Sequence, residues 1–271
     1  MSKITSYFNN KIVWITGASS GIGQATALAL AEYGATLILS SRNQQKLEDV
    51  CGRCANPERH LVLPLDLESR QFDEQVSTVF QRFRHVDILL NNGGISQRAL
   101  ALDTAPQAMQ KVFDIDFFGT VELTRQVAKR MKARQQGQIV NISSVAGKLG
   151  APFRSSYCGA KHALIGYMDC LRTELTPYNV NVLNVCPGFV QTNVSINAIN
   201  ETGDNYGKMD DDVASGIPLD NFTKSLVKAI AAKKNEVVVA TGLPLVATYL
   251  RRFFPNLLFK MVYSASKKGL Q

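Results

Sequence analysis

Nowhere does the chain string together the ~20 apolar residues that a membrane-crossing helix requires, although 45% of its 271 residues are hydrophobic. Its opening is not a basic-then-apolar leader either: Ser6, Asn9 and Asn10 precede the first apolar run, so no secretory signal is expected. Cysteine is sparse, at five residues, and histidine sparser, at three. Cys51 and Cys54 make one C-x-x-C motif with no second pair and no histidine at zinc-finger spacing, so no metal site is expected. Cys158, Cys170 and Cys186 fall in helix and strand patterns and read as buried thiols. This usage suits a reducing, cytoplasmic setting. Acidic residues vanish after Glu236, whereas nine Lys or Arg occur over 221–271. The first 220 residues are balanced in charge, so the net +8 belongs to the C-terminal end. It does not mark the rest of the chain as a nucleic-acid binder.

What is present is a regular alternation. Short apolar runs at 11–16, 36–40, 60–65, 86–91, 137–143, 180–186 and 235–240 read as strands. Helical patterns separate them at 22–33, 44–55, 69–84, 104–134, 155–176 and 220–232. The alternation predicts an α/β fold, a Rossmann-type doubly wound parallel sheet of about seven strands with helices on both faces. No linker or repeat breaks residues 1–242, which read as a single domain. The polar, irregular stretch 193–219 reads as a lid over a site. Residues 243–271 read as a basic, apolar, helical extension.

The strand candidate ending at Thr16 runs straight into Gly17, Ala18, Ser19, Ser20, Gly21, Ile22 and Gly23, after which apolar residues recur at helical spacing. Strand, glycine turn and helix together point to dinucleotide binding. Backbone without side chains can approach a pyrophosphate, whose charge then sits at the helix N-terminus. The second strand ends in Ser40, Ser41 and Arg42, with no carboxylate for a ribose hydroxyl. Arg42 can neutralise a 2′-phosphate and Ser41 can donate to it, so NADP(H) is expected as cofactor. Further along, Tyr157 and Lys161 stand one helical turn apart on one face. An ammonium beside a phenol favours its charged form. Bringing a tyrosine from about 10 toward neutrality takes roughly 4 kcal/mol of such differential interaction.

Taken in order, Thr16 to Gly23, Asn91 to Gly94, Ser144, Tyr157 with Lys161, and Pro187 with Gly188 resemble the short-chain dehydrogenase/reductase family from about residue 8 to 240. Residues 92–98, 157–164, 171–175 and 192–198 are similar to its member 7 and 7B branch. The resemblance implies a strand order of 3-2-1-4-5-6-7 and a homodimer or homotetramer through the helices at 104–134 and 155–176. It places Asp66 and Leu67 beside an adenine, and Asn91 and Gly93 along the adenosine side. Tyr157 and Lys161 would meet the nicotinamide ribose, and Pro187, Gly188, Val190 and Thr192 the nicotinamide end. Catalysis is implied for Ser144, Tyr157 and Lys161: Tyr157 protonates a developing alkoxide and Ser144 polarises the same oxygen. Ser144 can also be read as a strand-end cap, and Asp66 as a helix cap.

One position departs from the family pattern. Asp116 stands where the family usually has an asparagine, and its charge can pair with Lys161 and weaken the lysine's effect on Tyr157. The expected activity is NADP(H)-dependent interconversion of a carbonyl and an alcohol on a small, hydrophobic, steroid- or lipid-like substrate. Alternatives are a 3-oxoacyl-thioester reductase and a catalytically weak NADPH-binding scaffold. Two arginines and Pro255 interrupt the C-terminal apolar run, so it cannot span a bilayer. Its aromatic and basic residues suit a peripheral membrane surface, with packing on the domain or a partner surface as alternatives.

Overall fold

β1 (Ile12–Thr16) lies inside a seven-stranded sheet in which β2 (Thr36–Ser40) and β3 (Leu61–Val62) extend to one side. β4 (Ile88–Asn91), β5 (Gly137–Ile142), β6 (Val180–Pro187) and β7 (Glu236–Val239) extend to the other, giving the order 3-2-1-4-5-6-7. All pairings are parallel. Both faces of such a sheet must be covered, and period two divides each strand between them. Val13 and Ile15 point into one core cluster and Trp14, between them, into the other. The coordinates are a computed structural model and describe residues 3–267.

The helices follow in chain order. α1 (Lys3–Phe8), α2 (Gly21–Glu32) and α3 (Gln44–Gly52) precede α4 (Asp73–Phe83), α5 (Pro106–Phe113) and α6 (Thr120–Arg134). α7 (Ser155–Leu175), α8 (Asp211–Ala214), α9 (Leu219–Ala231), α10 (Gly242–Phe253) and α11 (Pro255–Ser266) complete the set. Phe8, Ala27, Leu30, Leu47, Phe222 and Leu226 bring α1, α2, α3 and α9 onto one face. Val76, Val79, Leu123, Val127, Leu164 and Met168 bring α4, α6 and α7 onto the other. α1 lies outside the expected elements. Six residues are too few for a visible period, and it is anchored by buried Phe8 and by the Tyr7 hydroxyl, which donates to Gln138 Oε1 at 2.8 Å. Cys170 also departs from expectation, since it is exposed on the outward side of α7.

Two features bear on function. The expected helix at 104–134 is broken by a π-helical stretch, Asp114–Gly119, inserted between α5 and α6. Such wide turns swing side chains out of helical register, and this one buries Asp116 completely. α10 and α11 pack through Ala247 and Leu258 against Val145 and Leu149, just beyond β5. Among the described residues no helix is long and apolar enough to cross a membrane. Residues 268–271 of the expected extension lie outside the described residues.

Candidate active site

The chain leaves β1 toward β2 on one side, and β4 flanks it on the other, so a crevice opens beyond the carboxyl ends of the strands. It holds about 630 Å³. Gly17 forms its floor at φ +64°, and a Cβ there would sit 2.8 Å from the Cα of Gly93. Only glycine tolerates both that dihedral and that approach. A Cβ on Gly23 would lie 2.3 Å from the carbonyl oxygen of Gly17, so Gly23 seats α2 on the turn and does not itself line the crevice. Gly17, Ser19, Ser20, Gly21 and Ile22 do line it. Ser20, at the N-cap of α2, makes no side-chain capping bond. The first N–H groups of the helix therefore keep their capacity for an anion.

Asn92 staples the glycine turn to the end of β4. Its backbone N–H and that of Gly93 donate to Thr16 Oγ1 at 3.0 and 2.9 Å, and its amide donates to the carbonyls of Thr16 and Gly17, both at 3.1 Å. Sequence reasoning assigned Asn92 no such role. Its neighbour Asn91 lies elsewhere than expected: the side chain is buried beneath the crevice, donating to Thr124 Oγ1 at 2.8 Å and Asn141 Oδ1 at 2.9 Å. It does not line the crevice, whereas Asn92, Gly93 and Gly94 do. Side chains alternate at a strand end, so one of two consecutive asparagines must point away.

At the end of β2 the walls are Ser41, Arg42, Asn43 and Lys46, facing Asp66 and Leu67. Lys46, in the first turn of α3, adds a second cation to the wall that Arg42 lines. Asp66 also caps the turn that follows it, its Oδ1 accepting from the Glu68 N–H at 3.1 Å. The capping reading of that residue is thus seen directly.

The other end of the crevice collects Ser144, Tyr157, Lys161, Pro187, Gly188, Val190 and Thr192. Ser144 Oγ accepts from the Ala146 N–H at 3.0 Å and lies close enough to the Tyr157 phenol to favour its charged form. The capping reading of Ser144 is thus seen. Lys161 Nζ lies 5.6 Å from the centre of the Tyr157 ring and donates to the Ile142 carbonyl at 3.3 Å. It also lies 3.2 Å from Asp116 Oδ2, while Asp116 Oδ1 accepts from the Ile95 N–H at 2.7 Å.

This pairing decides the electrostatics. Burial pushes Tyr157 above the ordinary tyrosine value; Lys161 and Ser144 pull it down, but the Asp116 carboxylate adds to the rise. The expected shift of the phenol toward neutrality is therefore corrected, because burial outweighs Lys161, while the expected pairing of Asp116 with the lysine is seen. Burial by itself would lower Lys161, yet Asp116 and Tyr157 hold its ammonium above the usual lysine value.

The irregular segment expected as a lid is held by a charge cluster with no sequence signature. Asp210 Oδ2 accepts from Arg98 Nε at 2.7 Å and lies 2.6 Å from Arg98 Nη2 and 3.0 Å from Arg154 Nη2. The backbone N–H of Asp210 donates to buried Ser195 Oγ at 3.1 Å. The segment is thereby tied to the loop after β4 and to the residue before α7. Asn193, Val194 and Asn197 from this segment line the crevice.

A family model described as short chain dehydrogenase matches residues 11–202. The dehydrogenase/reductase SDR family member 7B of Bos taurus is 36% identical over 274 residues, 98% of this chain and 84% of its own. Its namesake in Danio rerio is 38% identical over 267 residues, covering 96% of this chain and 86% of its own. A short-chain dehydrogenase structure from Streptomyces avermitilis matches with a TM-score of 0.79 at 26% identity, over 97% of this chain and 100% of its own. A Burkholderia phymatum member in complex with NAD has a TM-score of 0.80 at 23% identity, over 92% of this chain and 95% of its own. A Burkholderia cenocepacia member in complex with NADP has a TM-score of 0.77 at 22% identity, over 94% and 98%. These last two share the fold.

Proposed function

Because the chain belongs to the short-chain dehydrogenase/reductase family of oxidoreductases, we propose that it interconverts a carbonyl and an alcohol with NADP(H), on a small hydrophobic substrate of steroid- or lipid-like character. The observation that carries this reading is the convergence of Ser144, Tyr157 and Lys161 at one end of a crevice floored by the glycine turn. The close approach of Gly17 to Gly93 and the uncapped start of α2 suit a pyrophosphate between the two loops. In this reading residues 1–242 are the catalytic domain and residues 243–271 an extension that meets a membrane surface. The working form is a homodimer or homotetramer through α6 and α7.

When bound, the dinucleotide supplies a hydride to the carbonyl carbon, or accepts one from the alcohol carbon. The Tyr157 phenol gives its proton to the carbonyl oxygen in reduction and takes it back in oxidation. Ser144 donates a hydrogen bond to that same oxygen and stabilises the charge that develops on it. Lys161 stabilises the phenolate left behind, with Asp116 limiting how far. The proton resides on Tyr157 at neutral pH because burial and Asp116 hold its pKa up, and this favours reduction. Oxidation needs the phenolate and should quicken as pH rises.

NADPH consumption against a panel of ketones, retinoids and acyl thioesters tests the reading. Turnover confined to acyl thioesters would select a 3-oxoacyl reductase. NADPH binding without turnover of any member would select a scaffold, which the Asp116–Lys161 pair favours as second reading.

Arg42 and Lys46 support the phosphorylated cofactor. A charge-assisted hydrogen bond contributes about 1.5–3 kcal/mol, roughly a tenfold to hundredfold effect. Arg42→Asp should therefore shift the ratio of kcat/KM for NADPH over NADH by at least about tenfold toward NADH. An unchanged ratio removes the NADP assignment.

A further inference from the structure

Nine of the fifteen large hydrophobic side chains exposed among the described residues lie between Leu243 and Tyr263, on α10 and α11 or at their junction. Leu243, Val246, Tyr249 and Phe253 are all exposed and recur at intervals of three, three and four along α10. On α11, Leu257 and Met261 repeat at four, as do Phe259 and Tyr263, all of them exposed. Phe254, between the helices, is 62% exposed. Isolated exposed apolar residues need no explanation, but an apolar stripe along α10 that continues into exposed apolar pairs on two sides of α11 does.

The charges around this stripe narrow the choice of occupant. Arg251, Arg252 and Lys260 stand among the aromatics, with the Arg251 guanidinium 5.6 Å from the centre of the Phe259 ring. From 237 to the end of the chain there is no Asp or Glu. A second copy meeting this face about a two-fold axis would set cation against cation, because an isologous contact pairs a patch with itself. An anionic lipid surface supplies both the counter-charge and the apolar layer that the aromatics need.

The inner side of the pair is built into the wall of the active site. Buried Ala247 and Leu258 pack on Val145 and Leu149, and Val145 follows Ser144 directly. Pro244 lies 3.5 Å from where a Cβ on Gly188 would sit, so the first turn of α10 also abuts the crevice loop after β6.

We infer that α10 and α11 dock the protein on an anionic membrane through Tyr249, Phe253, Phe254 and Phe259, with Arg251, Arg252 and Lys260 at the headgroups, and so hold the Ser144 side of the crevice next to the lipid. The inference rests on the membrane-contacting part of the function proposed above. It accounts for how a lipophilic carbonyl compound partitioned into a bilayer reaches a crevice on a protein with no crossing helix among its described residues.

Co-sedimentation of the full chain with vesicles tests this, using phosphatidylcholine alone and phosphatidylcholine mixed with phosphatidylserine. Binding to the anionic vesicles and release by salt are expected. Each cation near such a surface contributes about 1 kcal/mol, so joint replacement Arg251→Gln, Arg252→Gln and Lys260→Gln should weaken binding roughly a hundredfold. Tyr249→Glu with Phe253→Glu should abolish it. NADPH binding and turnover of a water-soluble ketone should be unchanged in both variants, which separates loss of docking from failure of the proposed chemistry. No binding to anionic vesicles, or binding that neither variant weakens, overturns the inference. So does a variant that changes the sedimentation of the free protein and leaves vesicle binding intact, because the face would then be a protein contact.

Discussion

Tyr157→Phe is expected to lower NADPH-dependent reduction by about 10³-fold or more, toward the upper end of the 10²–10⁴ range for general acid–base catalysis. In the mechanism proposed above, the phenol is the group that gives its proton to the carbonyl oxygen that Ser144 hydrogen-bonds. The ring is half-buried and packs against the cluster of Ala108, Val112 and Ala160. Phenylalanine keeps that packing, so the fold and the crevice should survive. Cofactor affinity, followed by the change in NADPH fluorescence on titration, is expected to stay within a few-fold of wild type. A variant that reduces substrate at the normal rate would remove Tyr157 from the reaction, and with it the proton path.

Lys161→Met is expected to cost both activity and stability. Its ammonium is buried, as is the Asp116 carboxylate 3.2 Å away. Removing one partner of such a pair leaves an uncompensated buried charge, typically a loss of about 3–5 kcal/mol. Replacing both partners is often close to neutral. Lys161→Met should thus lower the urea midpoint strongly, and adding Asp116→Asn should restore most of the stability. Activity should not return, because Lys161 is the cation that stabilises the Tyr157 phenolate. Recovery of turnover in the double variant would show that Lys161 serves the fold alone; failure of stability to recover would show that the pair does not stand as an ion pair.

The sheet was legible in the chain because most strands are apolar runs too short for a buried helix and are closed by Gly, Ser or Asn. The glycine turn and the Tyr157–Lys161 spacing were legible for a similar reason: both are local, fixed by contacts within a few residues. Nonlocal features were not. The pairing of Asp116 with Lys161 was foreseen only through a departure from the family pattern; the π-helical stretch Asp114–Gly119 that carries Asp116 has no signal in the residues themselves. Asn91 and Asn92 are chemically identical, and only strand alternation decides which faces the crevice. The cluster of Asp210 with Arg98 and Arg154 joins residues 112 and 56 positions apart, beyond the reach of any spacing argument. Cys170 looked buried because α7 is apolar on average, although its own position falls off the packed face.

Asp116 is where the local and nonlocal readings meet, because it sets how far Lys161 can act on Tyr157. The most direct test is the pH dependence of single-turnover hydride transfer in the reducing direction, for wild type and for Asp116→Asn. Reduction needs the protonated phenol, so its rate is flat at low pH and falls as pH rises through the Tyr157 pKa. Taking away the carboxylate removes one of the causes that hold this pKa up. The falling limb should therefore move to lower pH in Asp116→Asn, by about one pH unit for each 1.36 kcal/mol of interaction lost. A limb at the same pH in both proteins, or displaced to higher pH in the variant, would contradict the claim that Tyr157 donates the proton under the joint control of Lys161 and Asp116.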